Sequence, residues 1–254
     1  MTWLRSLLFN VLWFCAIPLL LIVLLPMLLM SREVMQFGAR LFTGMTSGLL
    51  GFAAGLRWHV VGLEHLPEGP YIIAAKHQSA FDTMVFHLFL SDPVFVLKQE
   101  LTKLPIYGRM SMHAGMISVD RSAGASALRH LVLETRAAAA NGSQIIIFPQ
   151  GTRTAPGQYV PYQSGVAAMY KNSGLPVVPC ALNTGMFWGR RTFLKHPGMM
   201  TIKLLQPIPP GLPRQEFMER LESEIERETD LLCAASGDGA NPAQHLAATD
   251  RKET

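Results

Sequence analysis

The sequence predicts an α/β domain, with a mixed central sheet flanked by helices, carried behind an N-terminal membrane-embedded pair of apolar helices. Two observations predict it. From about residue 57, short apolar runs bounded by Gly, Pro and polar residues alternate with helical patterns, as strands and helices do in a layered sheet domain. Ahead of them, Ser6 to Ser31 carries no charge over 26 positions, more than the ~20 that span a bilayer core. The 254 residues allow one substantial domain plus an appendage. They divide into a membrane anchor (1–56), the α/β domain (57–233) and a tail (234–254) whose small, polar composition predicts disorder.

Composition narrows the partners. Mean hydropathy is +0.23, and most of the apolar excess lies at the start. Residues 1–212 carry 17 Lys/Arg against 8 Asp/Glu, while residues 213–254 carry 5 against 10. A basic body beside an apolar N-terminus suits an anionic lipid surface or a phosphorylated substrate. Nucleic acid is not favoured, because there is no basic helix, zinc spacing or aromatic-basic interleaving. Cys15, Cys180 and Cys233 are too scattered for a disulfide framework or a metal site.

The elements follow in order. The first apolar run is too long for a signal peptide, and no small-x-small site precedes Arg32, so it is read as a retained membrane helix. Arg32 to Arg40 reads as a polar break. Leu41 to Leu56 is uncharged but only 16 residues long, ~24 Å as a helix and short of a ~30 Å core. Gly44, Gly48, Gly51 and Gly55 share one face of it, which predicts close packing against the first helix. The pair either spans as a hairpin or lies partly buried in one leaflet. Strands are expected at 58–62, 71–75, 94–98, 114–119, 144–148, 176–182 and 200–205. Helices are expected at 80–90, 123–140 and 163–173, with an amphipathic acidic helix at 214–232. Pro179 inside a strand predicts an edge or a bulge.

Four stretches carry chemistry. His77 and Asp82, four residues apart, follow the apolar run Tyr71–Ala75. Ser79 is placed to cap a helix and Asp82 falls in its first turn. The carboxylate can then hold the proton on one ring nitrogen and leave the other as a general base. Lys98, Gly108, Gly115 and Arg121 form the second stretch. Arg121 stands just past a strand, either as a phosphate ligand or as a surface arginine paired with Asp120. In the third, Phe148-Pro149-Gln150-Gly151-Thr152-Arg153 opens from Ile145–Ile147. Its turn presents N–H groups, a hydroxyl and a guanidinium suited to phosphate, without P-loop spacing. The fourth is Val177–Asn183, read as buried strand with Cys180 in the core.

These four blocks, in this order and over about residues 57–210, resemble the glycerolipid acyltransferases typified by 1-acyl-sn-glycerol-3-phosphate acyltransferase. The resemblance implies acyl transfer from acyl-CoA or acyl-carrier protein to a lysophospholipid hydroxyl, giving phosphatidate. It implies His77 as base, Asp82 as its orienter, and Arg153, Thr152, Gly151, Gln150, Arg121 and Lys98 as substrate-binding residues. No cofactor or metal is implied beyond the thioester co-substrate. The implied setting is a membrane, the bacterial inner membrane with the catalytic domain on the cytoplasmic side. Two positions depart from the family. Lys76 stands where Asn is usual, a charge expected to favour neutral His77, and Gln150 stands where Glu is usual. These departures keep open another acceptor such as a lyso-ornithine lipid, a transacylase, or an inactive lipid-binding protein. Ser79 as an acyl-accepting nucleophile is a lesser option, and Arg190, Arg191 and Lys195 form a candidate patch for donor phosphates or headgroups.

Overall fold

A computed structural model describes residues 1–237. Seven strands form one sheet: β1 (Leu56–Val61), β2 (Ile72–Ala75), β3 (Pro93–Lys98), β4 (Ile117–Val119), β5 (Gln144–Ile147), β6 (Val177–Leu182) and β7 (Gly198–Leu204). The helices are α1 (Thr2–Leu24), α2 (Arg32–Leu49), α3 (Asp82–Val85), α4 (Gln99–Thr102), α5 (Tyr107–His113), α6 (Gly124–Ala140), α7 (Ser164–Ser173), α8 (Thr184–Phe187) and α9 (Arg214–Gly237). All seven expected strands are present. The helix expected at 80–90 is instead the short α3 followed by a 3-10 turn, Phe86–Leu88.

The strand order is β1-β7-β6-β2-β5-β3-β4. β6, β2, β5, β3 and β4 run mutually parallel, and β7 is antiparallel to β6. The C-terminal ends of five strands therefore lie along one edge of the sheet, where open α/β sheets bind their ligands. Alternation along the strands separates two cores. Ile73 and Ala75 face Phe9 of α1, Met35 of α2 and Val85 of α3. Ile72 and Ala74 face Leu131 of α6, Val166 of α7 and Phe217, Leu221 and Ile225 of α9. Helices thus cover both faces, as continuously apolar parallel strands require.

Pro179 lies inside β6, an interior strand rather than an edge, and the bulge explains it. Cys180 pairs with Leu204 in the ladder to β7, whereas Val177 bridges Ile208. The register therefore slips by one residue between them, and Pro179, with no N–H to offer, occupies the step. Its carbonyl still accepts from the Leu205 N–H at 2.9 Å.

The N-terminal helices depart from the expected arrangement. α1 with the 3-10 turn that follows it, Thr2–Leu29, is the one helix among the described residues long and apolar enough to cross a membrane. Its two ends both touch the domain. Ser6 and Asn10 bond the 193–195 loop, and the Met30 carbonyl meets Nε2 of His113 at 2.8 Å. The opposite flank, with Leu4, Leu8, Val11, Leu19 and Ile22, is exposed.

α2 does not span. It begins at Arg32, so Arg32 to Arg40 is its first half and not a break. Arg32, Gln36 and Arg40 recur every four residues on one face, and all three bond the α/β domain. Arg32 pairs with Asp92 at 2.8 Å, Gln36 donates to the Pro93 and Ala114 carbonyls, and Arg40 donates to the His87 and Leu90 carbonyls. Of the glycine stripe only Gly55 meets α1, where a methyl group would sit 2.7 Å from the Arg5 guanidinium. A methyl group at Gly44, Gly48 or Gly51 would touch nothing within 4 Å. The contact is made by threonine instead, with Trp13 Nε1 donating to Thr46 Oγ1 at 3.1 Å. Gly55, at φ 68°, ends the helix and turns the chain into β1.

α9 continues to Gly237, so Ala234 to Gly237 are helical rather than part of a disordered tail. The rest of the expected tail, 238–254, lies outside the described residues.

Candidate active site

His77 lies two residues past the end of β2, and its parity puts it on the α1–α2 side of the sheet. There its ring stacks on Phe148 with centroids 4.0 Å apart. Asp82 opens α3 and is fully buried. Asp82 Oδ2 is 3.0 Å from His77 Nδ1, and it also accepts the Gln78 and Ser79 N–H groups at 2.7 Å each. Asp82 Oδ1 accepts from the Thr184 hydroxyl at 2.6 Å. A buried carboxylate with four donors is satisfied and fixed in place. With Nδ1–H donating to this carboxylate, the ring turns Nε2 away from it, and Nε2 has no protein partner among the described residues.

Asp82 reaching back to the Gln78 and Ser79 amides closes this turn, in place of the forward cap expected from Ser79. The Ser79 hydroxyl is buried and accepts from the Phe81 N–H at 3.2 Å.

The third block clamps the backbone of His77. Its N–H donates to Gln150 Oε1 at 3.2 Å, and its carbonyl accepts from the N–H and hydroxyl of Thr154, at 2.8 and 3.2 Å. Gln150 is 2% exposed. A glutamate oxygen would accept the same N–H, so the amide keeps the base in place at this departure from the family. Its Nε2 is buried without a partner among the described residues.

Gly151, Thr152 and Arg153 follow β5 at the same sheet edge. Gly151 has φ +70°, and a methyl group there would sit 2.7 Å from a guanidinium nitrogen of Arg121. Arg121 Nη1 donates to the Gly151 carbonyl at 2.6 Å. The structure therefore brings Arg121 to the turn and away from a pairing with Asp120, whose carboxylate caps Ser122. Thr152 is exposed and Arg153 half-buried. Arg153's guanidinium makes no hydrogen bond or ion pair among the described residues. Lys98, at the end of β3, is exposed and pairs with Glu100 at 2.9 Å; no bond ties it to Arg121, Gly151 or Arg153.

Two lysines sit otherwise than expected. Lys76 points to the α9 side of the sheet, away from His77. It is 2% exposed and pairs with Glu226 at 2.5 Å, and Tyr162 donates to the other oxygen of that carboxylate. Its charge is spent there rather than on the base. Lys195 does not join Arg190 and Arg191 at the surface. It is buried, donates to Asn10 Oδ1 and to the Thr192 and Phe193 carbonyls, and lies over the Phe9 and Trp188 rings. Burial lowers its pKa to about 8. Arg190 remains near the site, donating to the Arg153 carbonyl at 3.3 Å.

Sequence reasoning missed Thr154, Thr184 and the Phe148 stack. Thr184 follows the last residue of the fourth block, Asn183, so its place was marked but its hydroxyl's target was not.

A buried His–Asp pair, a free ring nitrogen and an arginine-bearing turn at one sheet edge define a class: enzymes in which a histidine base activates a hydroxyl beside an anionic group. The comparisons with known proteins show the family. The acyltransferase family model matches residues 57–183, and the chain belongs to that family. It is similar to the 1-acyl-sn-glycerol-3-phosphate acyltransferase of Pseudomonas aeruginosa, 35% identical over 179 residues, 70% of this chain and 68% of that one. The enzyme of the same description from Limnanthes alba is 31% identical over 170 residues, 66% of this chain and 60% of that one, so the chain spans about three fifths of that relative. The crystal structure of the 1-acyl-sn-glycerophosphate (LPA) acyltransferase PlsC from Thermotoga maritima shares the fold, with a TM-score of 0.75 over 91% of this chain and 97% of that one at 20% identity. The chain is thus a membrane-associated acyltransferase with one N-terminal apolar helix.

Proposed function

We propose that this protein transfers a fatty acyl group from acyl-CoA or acyl-carrier protein to the sn-2 hydroxyl of 1-acyl-sn-glycerol 3-phosphate, giving phosphatidate. The observation that carries this reading is the buried His77–Asp82 pair at the same sheet edge as the Gly151–Arg153 turn. Nε2 of His77 removes the hydroxyl proton as the oxygen attacks the thioester carbonyl. Asp82 balances the imidazolium that forms. The C–S bond then breaks, and the imidazolium returns the proton to the departing thiolate. Arg153 and Arg121, with the Thr152 hydroxyl, hold the phosphate and so place the hydroxyl; the Gly151 N–H donates to the Phe148 carbonyl at 2.9 Å and shapes the turn instead. A misplacement of ~1 Å costs on the order of a hundredfold in rate. Lys98, already paired, lies outside this set.

Residues 1–56 serve as the anchor. His77 lies on the face of the sheet covered by α1 and α2, and α1 exposes an apolar flank while both its ends hold the domain. That arrangement seats α1 in one leaflet, beside the lipid substrate. The setting that fits is the cytoplasmic face of a bacterial inner membrane.

The test is an acceptor panel with the purified protein in detergent and a long-chain acyl-CoA or acyl-carrier-protein donor. Lysophosphatidate should be acylated far faster than 1-monoacylglycerol, which lacks the phosphate. Equal rates on the two acceptors would refute the role given to Arg153 and Arg121. Faster transfer to a lyso-ornithine lipid would redirect the acceptor assignment.

A further inference from the structure

We propose that Thr184 is a positioning residue of the acyl-transfer site, the third member of a hydrogen-bonded chain His77–Asp82–Thr184. The proposal rests on the reading of His77 as the base.

The two oxygens of Asp82 are held differently. Oδ2 takes three N–H donors, from the His77 ring and from the backbone of Gln78 and Ser79. Oδ1 takes one, the Thr184 hydroxyl at 2.6 Å. That donor comes from another part of the chain, the first residue of α8 just after β6. Both side chains are fully buried, so water cannot replace the bond.

A second contact binds the same two segments. The Gly185 N–H donates to Gln78 Oε1 at 3.0 Å, tying α8 to the residue next to the base. The α8 turn is anchored in its own right, because Asn183 accepts the Thr201 N–H at 2.7 Å and donates to Ser236 at 2.7 Å. Thr184 is therefore presented by a rigid support rather than by a mobile loop.

The chemistry gives the hydroxyl a task. During attack Nε2 gains the acceptor's proton, Nδ1 keeps its own, and the imidazolium faces Asp82. The carboxylate must stay ionised with Oδ2 directed at Nδ1. A donor on Oδ1 fixes the rotation of the carboxylate about its Cβ–Cγ bond and satisfies its second oxygen. Thr184 keeps its proton throughout, touches no reacting atom, and acts through Asp82. Without it, Oδ1 is a buried anionic oxygen with no hydrogen-bond donor among the described residues, a costly state for a charge.

The experiment compares wild type, Thr184→Val, Thr184→Ser and His77→Ala, purified in detergent and confirmed by thermal unfolding to be folded at the assay temperature, with lysophosphatidate and oleoyl-CoA or oleoyl-acyl-carrier protein. Thr184→Val keeps the shape and removes the donor. Its kcat should fall by about 10- to 100-fold, the size of a hydrogen bond to a charged partner, with KM for both substrates unchanged. Thr184→Ser should recover most of the loss. If the valine variant does not fold, Thr184→Ala set against Thr184→Ser reads the same hydroxyl. Wild-type kcat without the hydroxyl would overturn the proposal, and so would equal losses in the serine and valine variants, which would mark a packing role. Full activity in His77→Ala would remove the base reading and this proposal with it, whereas an inactive His77→Ala beside a fully active Thr184→Val would remove the proposal alone.

Discussion

Asp82→Asn isolates the charge of the orienting residue from its geometry. The amide oxygen can still accept from the Gln78 and Ser79 backbone and from His77 Nδ1, which lie 2.7, 2.7 and 3.0 Å from Oδ2. The amide nitrogen then faces Thr184, whose hydroxyl turns to accept. The fold is kept, the tautomer is kept, and only the countercharge to the imidazolium is lost. Two unit charges ~4 Å apart at an effective dielectric constant of about 20 attract by about 4 kcal/mol. That interaction is realised only as the proton moves, so it appears in kcat, at about tenfold per 1.4 kcal/mol. The expected loss is on the order of 10^3-fold in kcat, with KM for lysophosphatidate little changed. Steady-state release of free thiol from the acyl donor measures it, with thermal stability as the control. A kcat within tenfold of wild type would refute the claim that Asp82 acts by its charge.

Two further substitutions probe the surroundings. Gly151→Ala strains a left-handed position at φ +70° and drives a methyl group to 2.7 Å from Arg121; it should raise KM for lysophosphatidate by about tenfold or more, and an unchanged KM would separate this turn from the phosphate. Lys195→Met tests the buried cation between α1 and the 192–195 loop. Its pKa is lowered to about 8 in the folded protein, below the ~10.4 of an exposed lysine. Between those values the unfolded chain holds a proton that the folded chain has released, so this group makes stability rise with pH from about 8 to ~10.4. The wild type should gain melting temperature over that interval relative to Lys195→Met, and parallel pH curves would contradict the assignment.

The strands were legible because each is a short apolar run closed by Gly, Pro or polar residues. Their order was not. It depends on which strands pair, and that order is what aligns His77, Arg121, Arg153 and Thr184 on one edge. The chemistry of His77, Asp82 and Gly151–Arg153 could be read because each block sits directly after its strand. The lysines were misread because their partners lie far along the chain, Glu226 for Lys76 and Asn10 for Lys195. Nothing local marks a lysine as buried. The glycine stripe at 44, 48 and 51 shows the limit of periodicity, which defines a face without saying which way the face turns. Thr46, bonded to Trp13, and the row Arg32, Gln36 and Arg40 decided that. The short helices α4, α5 and α8 hold too few residues for a helical repeat to register.

The most direct measurement is the initial rate of phosphatidate formation by wild type and His77→Ala, from lysophosphatidate and an acyl thioester in the same detergent. The account predicts turnover by the wild type and its loss in the variant by several orders of magnitude, with the variant folded and still binding lysophosphatidate. Undiminished phosphatidate formation by His77→Ala would contradict the mechanism.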